Sequence, residues 1–211
     1  MTQILLYSDF RPSVSGILDD CYLKLLNGTK CRIGYIPSES DLKRRYFKKV
    51  QDHYNELGIT SISYFDLGEE FDKSEIPKLL DCDAIHLSGG DPVRFMQLIN
   101  SRGFGEQLKK FIRGDGIIVG VSAGAMILSQ SLGLLQYCDD AGTIAKVPTA
   151  LRCFEFEFFP HFKKDAKTTK ILGHYATSKK TLVYACDDDA GVFIHDSGVT
   201  TLGDVSIFEP V

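Results

Sequence analysis

The sequence predicts an α/β domain built on a doubly wound, parallel-rich sheet, with antiparallel strands in its C-terminal third. Over the first 130 residues, short apolar runs ending in Gly, Pro, Ser or Asp alternate with amphipathic segments, the pattern of parallel strands joined by crossover helices. After Leu135 the runs are joined by Gly, Asp and Ser turns, which suits antiparallel pairing. With 211 residues, 44% of them hydrophobic, the chain can bury one substantial core but is short for two. No repeat or low-complexity linker divides it, so 1–211 reads as a single domain.

Taken in order, "QILLYS", "CRIGYIPS", "SISYFDL", "DAIHLSGG" and "GIIVGVS" are the strands of the first part. Between the first two, Val14, Ile17, Leu18, Cys21, Tyr22, Leu25 and Leu26 recur at helical spacing, and Gly28 marks the stop. A second helix is predicted over 39–57, where Leu42, Tyr46, Val50, His53 and Leu57 form one stripe and Gly58 ends it. Asp91 and Pro92 read as the cap and first position of another helix. Phe104, Leu108, Phe111 and Ile112 give the helix before "GIIVGVS". Beyond Leu135, "TIAKVP", "LRCFEFEFF", "TLVYACDD", "AGVFIHDSG" and "VSIFEP" are expected to extend or flank the same sheet, with one helix near 165–175. Tyr64, Phe65 and Phe95 are expected in the core.

A net charge of −4 and a pI near 5.7 leave no basic excess for a phosphate backbone or an anionic membrane, so the expected partner is small. The apolar runs fall short of the roughly 18 residues of a membrane span, and "MTQILLYSDF" lacks the basic start and cleavage site of a secretory signal. A cytoplasmic location follows as the expectation. The six cysteines form no C-x-x-C pair and no zinc-ligand spacing, which predicts reduced thiols and neither metal nor cofactor.

The chemistry concentrates in "GIIVGVSAGAMILSQS", where a buried strand turns into a helix at Gly120-Val121-Ser122-Ala123-Gly124. In a G-x-S-x-G corner the turn is so tight that the flanking residues must be small, and the serine hydroxyl is thrust out at the carboxyl end of the sheet. The Ala123 N–H, at the start of the helix, suits an oxyanion forming on a substrate carbonyl. Gly89-Gly90, ending a neighbouring strand, lets backbone approach a ligand closely and offers the Gly90 N–H as second donor. Such corners also occur as plain close packing, so a base is required. Among the five histidines, His53 falls on a helix face, His86 inside a strand facing the core, and His195 before a turn. His161 and His174 remain, and His161 sits where Pro160 ends a strand, a position suited to reaching Ser122. Asp187, Asp188 and Asp189, at the end of another strand, are candidates for the acid that orients the imidazole, and spacing does not select among them.

Taken together, "HLSGGDP", "GVSAGAM" and, about forty residues later, "PHF" resemble the peptidase E family, which includes the aspartyl dipeptidase and cyanophycinase. The resemblance implies a fold of flavodoxin-like or class I glutamine amidotransferase-like type. It also implies a serine peptidase cleaving small peptides, such as Asp-X dipeptides, through an acyl-enzyme, with Ser122, His161 and Asp188 as its triad. Asp188 is chosen by the likeness of "DDDAGV" to the family's acid followed by small residues. Two departures bear on the substrate: Asp91 stands where peptidase E proper has Asn, and "HFKKDAKTTK" lacks the arginines of the relatives. Gly89 and Asp91 are read as substrate-binding, with Asp91 either attracting a substrate cation or capping a helix. The expected state is a monomer or homodimer. Three other readings stand beside this one: a cyanophycinase-like or isoaspartyl peptidase, an α/β-hydrolase-type esterase using Asp165 and His195, and a non-catalytic small-ligand module.

Overall fold

The computed structural model describes residues 2–10, 16–26, 30–138 and 146–211. Its first half runs β1 (Gln3–Tyr7), α1 (Ile17–Leu25), β2 (Arg32–Ile36), α2 (Arg45–Glu56), β3 (Ser61–Tyr64), a 3-10 turn (Lys73–Glu75), α3 (Ile76–Leu80), β4 (Ala84–Leu87), α4 (Pro92–Ser101), α5 (Gly105–Arg113) and β5 (Ile117–Val121). The second half comprises α6 (Ala123–Met126), α7 (Gly133–Tyr137), β6 (Phe156–Phe159), α8 (Ala166–Lys179), β7 (Leu182–Cys186), β8 (Gly191–His195), β9 (Gly198–Leu202) and β10 (Val205–Phe208). Val14, Gly28 and the start of "TIAKVP" lie outside the described residues.

The main sheet has the order β3-β2-β4-β5-β1-β8-β9, and its first five strands are parallel. A flavodoxin-like sheet reads 2-1-3-4-5. The same spatial pattern appears here with the far position filled by the N-terminal strand. Both faces are covered, as continuous apolar strands require. Ile4, Leu6, Ile85, Leu87 and Ile118 pack against Phe95 and Ile99 of α4 and Leu108 of α5. Leu5, Tyr7, Ile33, Val119 and Val121 pack on the other side against Leu18 and Tyr22 of α1 and Tyr54 of α2.

Three expectations are corrected. Helix α2 begins at Arg45 instead of near residue 39, because the Asp41 carboxylate accepts from the N–H groups of Arg45, Tyr46 and Phe47 and so fixes the first turn. Leu42 and Tyr46 are therefore exposed, and Tyr54 takes the core position. In the C-terminal third, β8 and β9 extend the main sheet as antiparallel strands, but β10-β7-β6 form a separate sheet. Within it β6 and β7 run parallel, since the crossover between them is the 14-residue helix α8. The helix after Ser122 is a single turn, after which Ile127, Leu128 and Ser129 offer their carbonyls to the N–H groups of Leu151, Cys153 and Arg152.

The corner at Ser122 depends on missing side chains. A Cβ on Gly124 would lie 2.2 Å from the Leu87 carbonyl oxygen, and one on Gly120 would lie 2.9 Å from the Ala125 backbone. The Ser122 N–H donates to the Tyr7 carbonyl at 2.9 Å, and that of Gly124 to the Ser88 carbonyl at 3.0 Å, so β1 and β4 hold the turn from both sides.

Replacing Gly124 with Ala should cost roughly 1–3 kcal/mol in urea unfolding, because backbone must move to admit the methyl group. By contrast, Gly173 in α8 has its nearest obstacle at 3.9 Å, and Gly173→Ala should stabilise by about 0.5–1 kcal/mol. Equal effects at the two sites would contradict the packing described.

Candidate active site

In open α/β sheets ligands bind beyond the carboxyl ends of the strands, where the chain reverses its order of addition. Here β3 is added on one side of β2 and β4 on the other. A cleft of about 480 Å³ opens there, lined by Pro37 and Ser38 after β2, Ser88, Gly89 and Gly90 after β4, Ser122 after β5, and His161.

Ser122 has φ 46° and ψ −104°, a conformation rarely adopted by a residue with a side chain, and one maintained by the two backbone bonds just described. Its Oγ lies 2.9 Å from His161 Nε2, and His161 Nδ1 lies 2.7 Å from Asp188 Oδ1. His161 reaches this point from the second sheet, just after β6, with φ 59°. Its N–H donates to Ser8 Oγ at 2.7 Å, and that hydroxyl donates to the Cys186 carbonyl at 3.2 Å. Ser8 thus ties the end of β1 to the histidine loop and to the end of β7.

The structure separates the three late aspartates. Asp187 turns its carboxylate back to the Asp188 N–H at 2.5 Å, while Asp188 faces the imidazole. Lys163 bonds Asp188 Oδ2 and approaches Asp187 at 3.5 Å. First the Lys163 ammonium, then the His161 ring, hold the Asp188 carboxyl below the usual carboxylate range. Ser8 and Lys163 carried no motif signal; the nearest hint is that one closes the first strand and the other follows "PHF".

Gly89 and Gly90 lie where the sequence suggests. A Cβ on Gly89 would be 3.6 Å from Ser122 Cβ, and one on Gly90, at φ 130°, would be 2.1 Å from Ser38 Oγ. Asp91 is not among the residues lining the cleft: its carboxylate accepts from the Val93 and Arg94 N–H groups at 2.8 and 3.1 Å, capping α4. The capping alternative is thus realised through Oδ1.

Three of the four remaining histidines are engaged elsewhere. His53 is buried with Nε2 3.1 Å from Asp19, His174 bonds Tyr137, and His195 bonds Ser197 and Thr200. His195 pairs with Gln3, at the start of β1, whereas Ser122 bonds Tyr7 at its end, roughly 13 Å along the strand. Asp165 caps α8 through the Thr168 N–H. An arrangement of Asp165 and His195 around Ser122 is thus excluded by position. Among the described residues no group of three or more His, Cys, Asp or Glu side chains forms a metal-ligand cluster. None of their helices is long and apolar enough to cross a membrane.

A serine at a strained strand-to-helix corner, with an imidazole on its hydroxyl, has the geometry of the nucleophile elbow found in α/β enzymes. The family model of peptidase family S51 matches residues 13–202, and the chain belongs to that family of serine-type peptidases. It is 24% identical over 160 residues to an uncharacterised peptidase of Pasteurella multocida, covering 69% of this chain and 73% of that one. Cyanophycinase of Synechococcus elongatus is 28% identical over 193 residues, covering 87% of this chain, which spans only 60% of the relative's length. A peptidase E-type crystal structure from Listeria monocytogenes superposes with a TM-score of 0.75 at 22% identity, covering 95% and 98% of the two chains. A peptidase from an acI-B1 actinobacterium superposes with a TM-score of 0.71 at 20% identity, covering 100% and 92%.

Asp91→Ala should lower stability by about 1 kcal/mol, while Asp91→Asn keeps the cap and should leave both Tm and peptidase activity near wild type. Loss of activity in Asp91→Asn at unchanged Tm would return the residue to substrate binding. For Lys163→Met, the Asp188 carboxyl should titrate closer to the ordinary carboxylate value of about 3.9 in carboxyl-carbon NMR. Because the folded-state value is depressed, the stabilisation is present above the unfolded-chain value and vanishes as pH falls through the folded one. The Tm gap between wild type and Lys163→Met should thus be wider at about pH 7 than in strong acid, and an equal gap would contradict the pairing.

Proposed function

We propose that the protein hydrolyses small peptides, dipeptides among them, through an acyl-enzyme formed on Ser122. The observation that supports this most directly is the continuous hydrogen-bonded series from Ser122 Oγ through His161 to Asp188, at 2.9 and 2.7 Å. His161 Nε2 takes the hydroxyl proton as Oγ attacks the scissile carbonyl, then gives it to the leaving amine. Asp188, on Nδ1, fixes the tautomer and stabilises the imidazolium. The N–H groups of Gly90 and Ala123 receive the oxyanion. Water then repeats the sequence in reverse and frees the acid.

Specificity for an N-terminal Asp is not favoured by the residues after "HF". Lys163 is engaged with Asp188 and Asp187, and Lys164 with Asp204 at 2.6 Å, so neither supplies a cleft cation for a substrate carboxylate.

Ser122→Ala should keep its fold, lose labelling by a fluorophosphonate probe, and fall on the order of 10⁶-fold in kcat. Retention of most hydrolysis would remove the serine mechanism. Among Asn replacements of Asp187, Asp188 and Asp189, that at Asp188 should be slower on the order of 10⁴-fold, with mild effects at the others. Three equal, mild effects would mean that the acid is misassigned.

A further inference from the structure

His86 is a polar group in the cleft that the proposed chemistry does not use. It sits in the middle of β4, between Tyr35 of β2 and Val119 of β5, and is 1% exposed while lining the cleft. Rings enclose it: Phe10 meets it edge-on at 4.8 Å, Tyr35 tilts over it at 5.1 Å, and Tyr54 lies at 5.7 Å. Burial, and secondarily His53, pushes its pKa down to about 3, so the ring is neutral across the working range.

A neutral imidazole carries one N–H and one lone pair. Tyr54 Oη lies 2.8 Å from Nδ1, and a buried phenol needs an acceptor for its proton. That bond takes the lone pair, which leaves the proton on Nε2. Among the described residues Nε2 has no hydrogen-bond partner. A donor held in one tautomer, in a ring that lines an open cleft, is available to an acceptor on a ligand.

We infer that His86 Nε2–H is a specificity group at the floor of the cleft, and that it binds the carbonyl oxygen of an uncharged carboxamide side chain on the substrate. This rests on reading the cleft as the peptide site. The charges around it disfavour both ionic alternatives. At Nε2 itself a carboxylate would meet a neutral donor, in a cleft that Asp9, Glu39 and Lys49 also line. Glu39 is paired with Arg94 at 2.7 Å, and Asp41 is occupied in capping α2. Lys49, exposed on α2, also lines the cleft, and an ion pair with so exposed a group adds little. A cation would meet the positive end of the N–H bond.

The test uses Ser122→Ala protein, so that binding is read without turnover. Calorimetry would compare Gln-Ala and Ala-Gln with their Met counterparts, close in shape but lacking the carboxamide, and with their Glu counterparts, which carry a charge. At least one Gln peptide should bind on the order of tenfold more tightly than its Met and Glu counterparts. His86→Phe, added to Ser122→Ala, should abolish that preference. Tyr54→Phe, which frees the tautomer at smaller structural cost, should narrow it and carries the test if His86→Phe does not fold. Absence of the preference in the parent protein, its survival in His86→Phe, or an unchanged preference in Tyr54→Phe overturns the inference. Failure of the peptidase reading would show separately, as wild-type protein that binds these peptides and cleaves none.

Discussion

The contact between Gly124 and the Leu87 carbonyl is the constraint on which the rest depends. There is no room for a side chain at Gly124, and the turn that brings the two backbones together forces Ser122 into positive φ. Such a conformation persists only where its surroundings over-determine it. Here the carbonyls of Tyr7 and Ser88, on strands either side of β5, accept from the two N–H groups flanking Ala123. The parallel sheet is therefore part of the chemistry, because it holds a hydroxyl where a freely turning chain would not.

The second requirement is that parts of two sheets meet. His161 belongs to the loop after β6 and Asp188 to the turn after β7, both in the smaller sheet, while Ser122 belongs to the larger. Ser8 joins them: one hydroxyl accepts from the His161 N–H and donates to the Cys186 carbonyl, and its own N–H donates to the Ala190 carbonyl. Packing of Phe162 with Leu172, Tyr175 and Val183 fixes the approach of the smaller sheet. Orientation of the imidazole thus rests on a network in which most members touch no substrate.

Much of this was legible in the sequence because it follows from local rules. Buried parallel strands need continuous apolar runs, and β1, β2, β4 and β5 appear as such, while the edge strand β3 alternates as Ser-Ile-Ser-Tyr. A G-x-S-x-G corner and a two-glycine strand end are readable because a close backbone approach admits few residue types. What escaped is what depends on distant partners. The Asp41 carboxylate starts α2 six residues later than the apolar stripe suggested, and α8 turns a pair expected to be antiparallel into a parallel one. Asp187, Asp188 and Asp189 are chemically identical in sequence and are separated only by the turn that folds Asp187 back on its neighbour. Asp91 shows the opposite case: its cap was visible in the sequence, and the geometry of α4 realises it.

The strand order has a consequence for when the molecule can act. Strand β1 pairs with β5, more than a hundred residues later, and with β8, later still. Contacts of such long sequence separation form slowly and late. The proposed nucleophile, base and acid are also spread along the chain in that order, from Ser122 through His161 to Asp188, with α8 and β7 between the last two. A nascent chain therefore carries its serine for some time without the partners proposed to arm it, and the site is complete only once the chain through Asp188 has been made and folded.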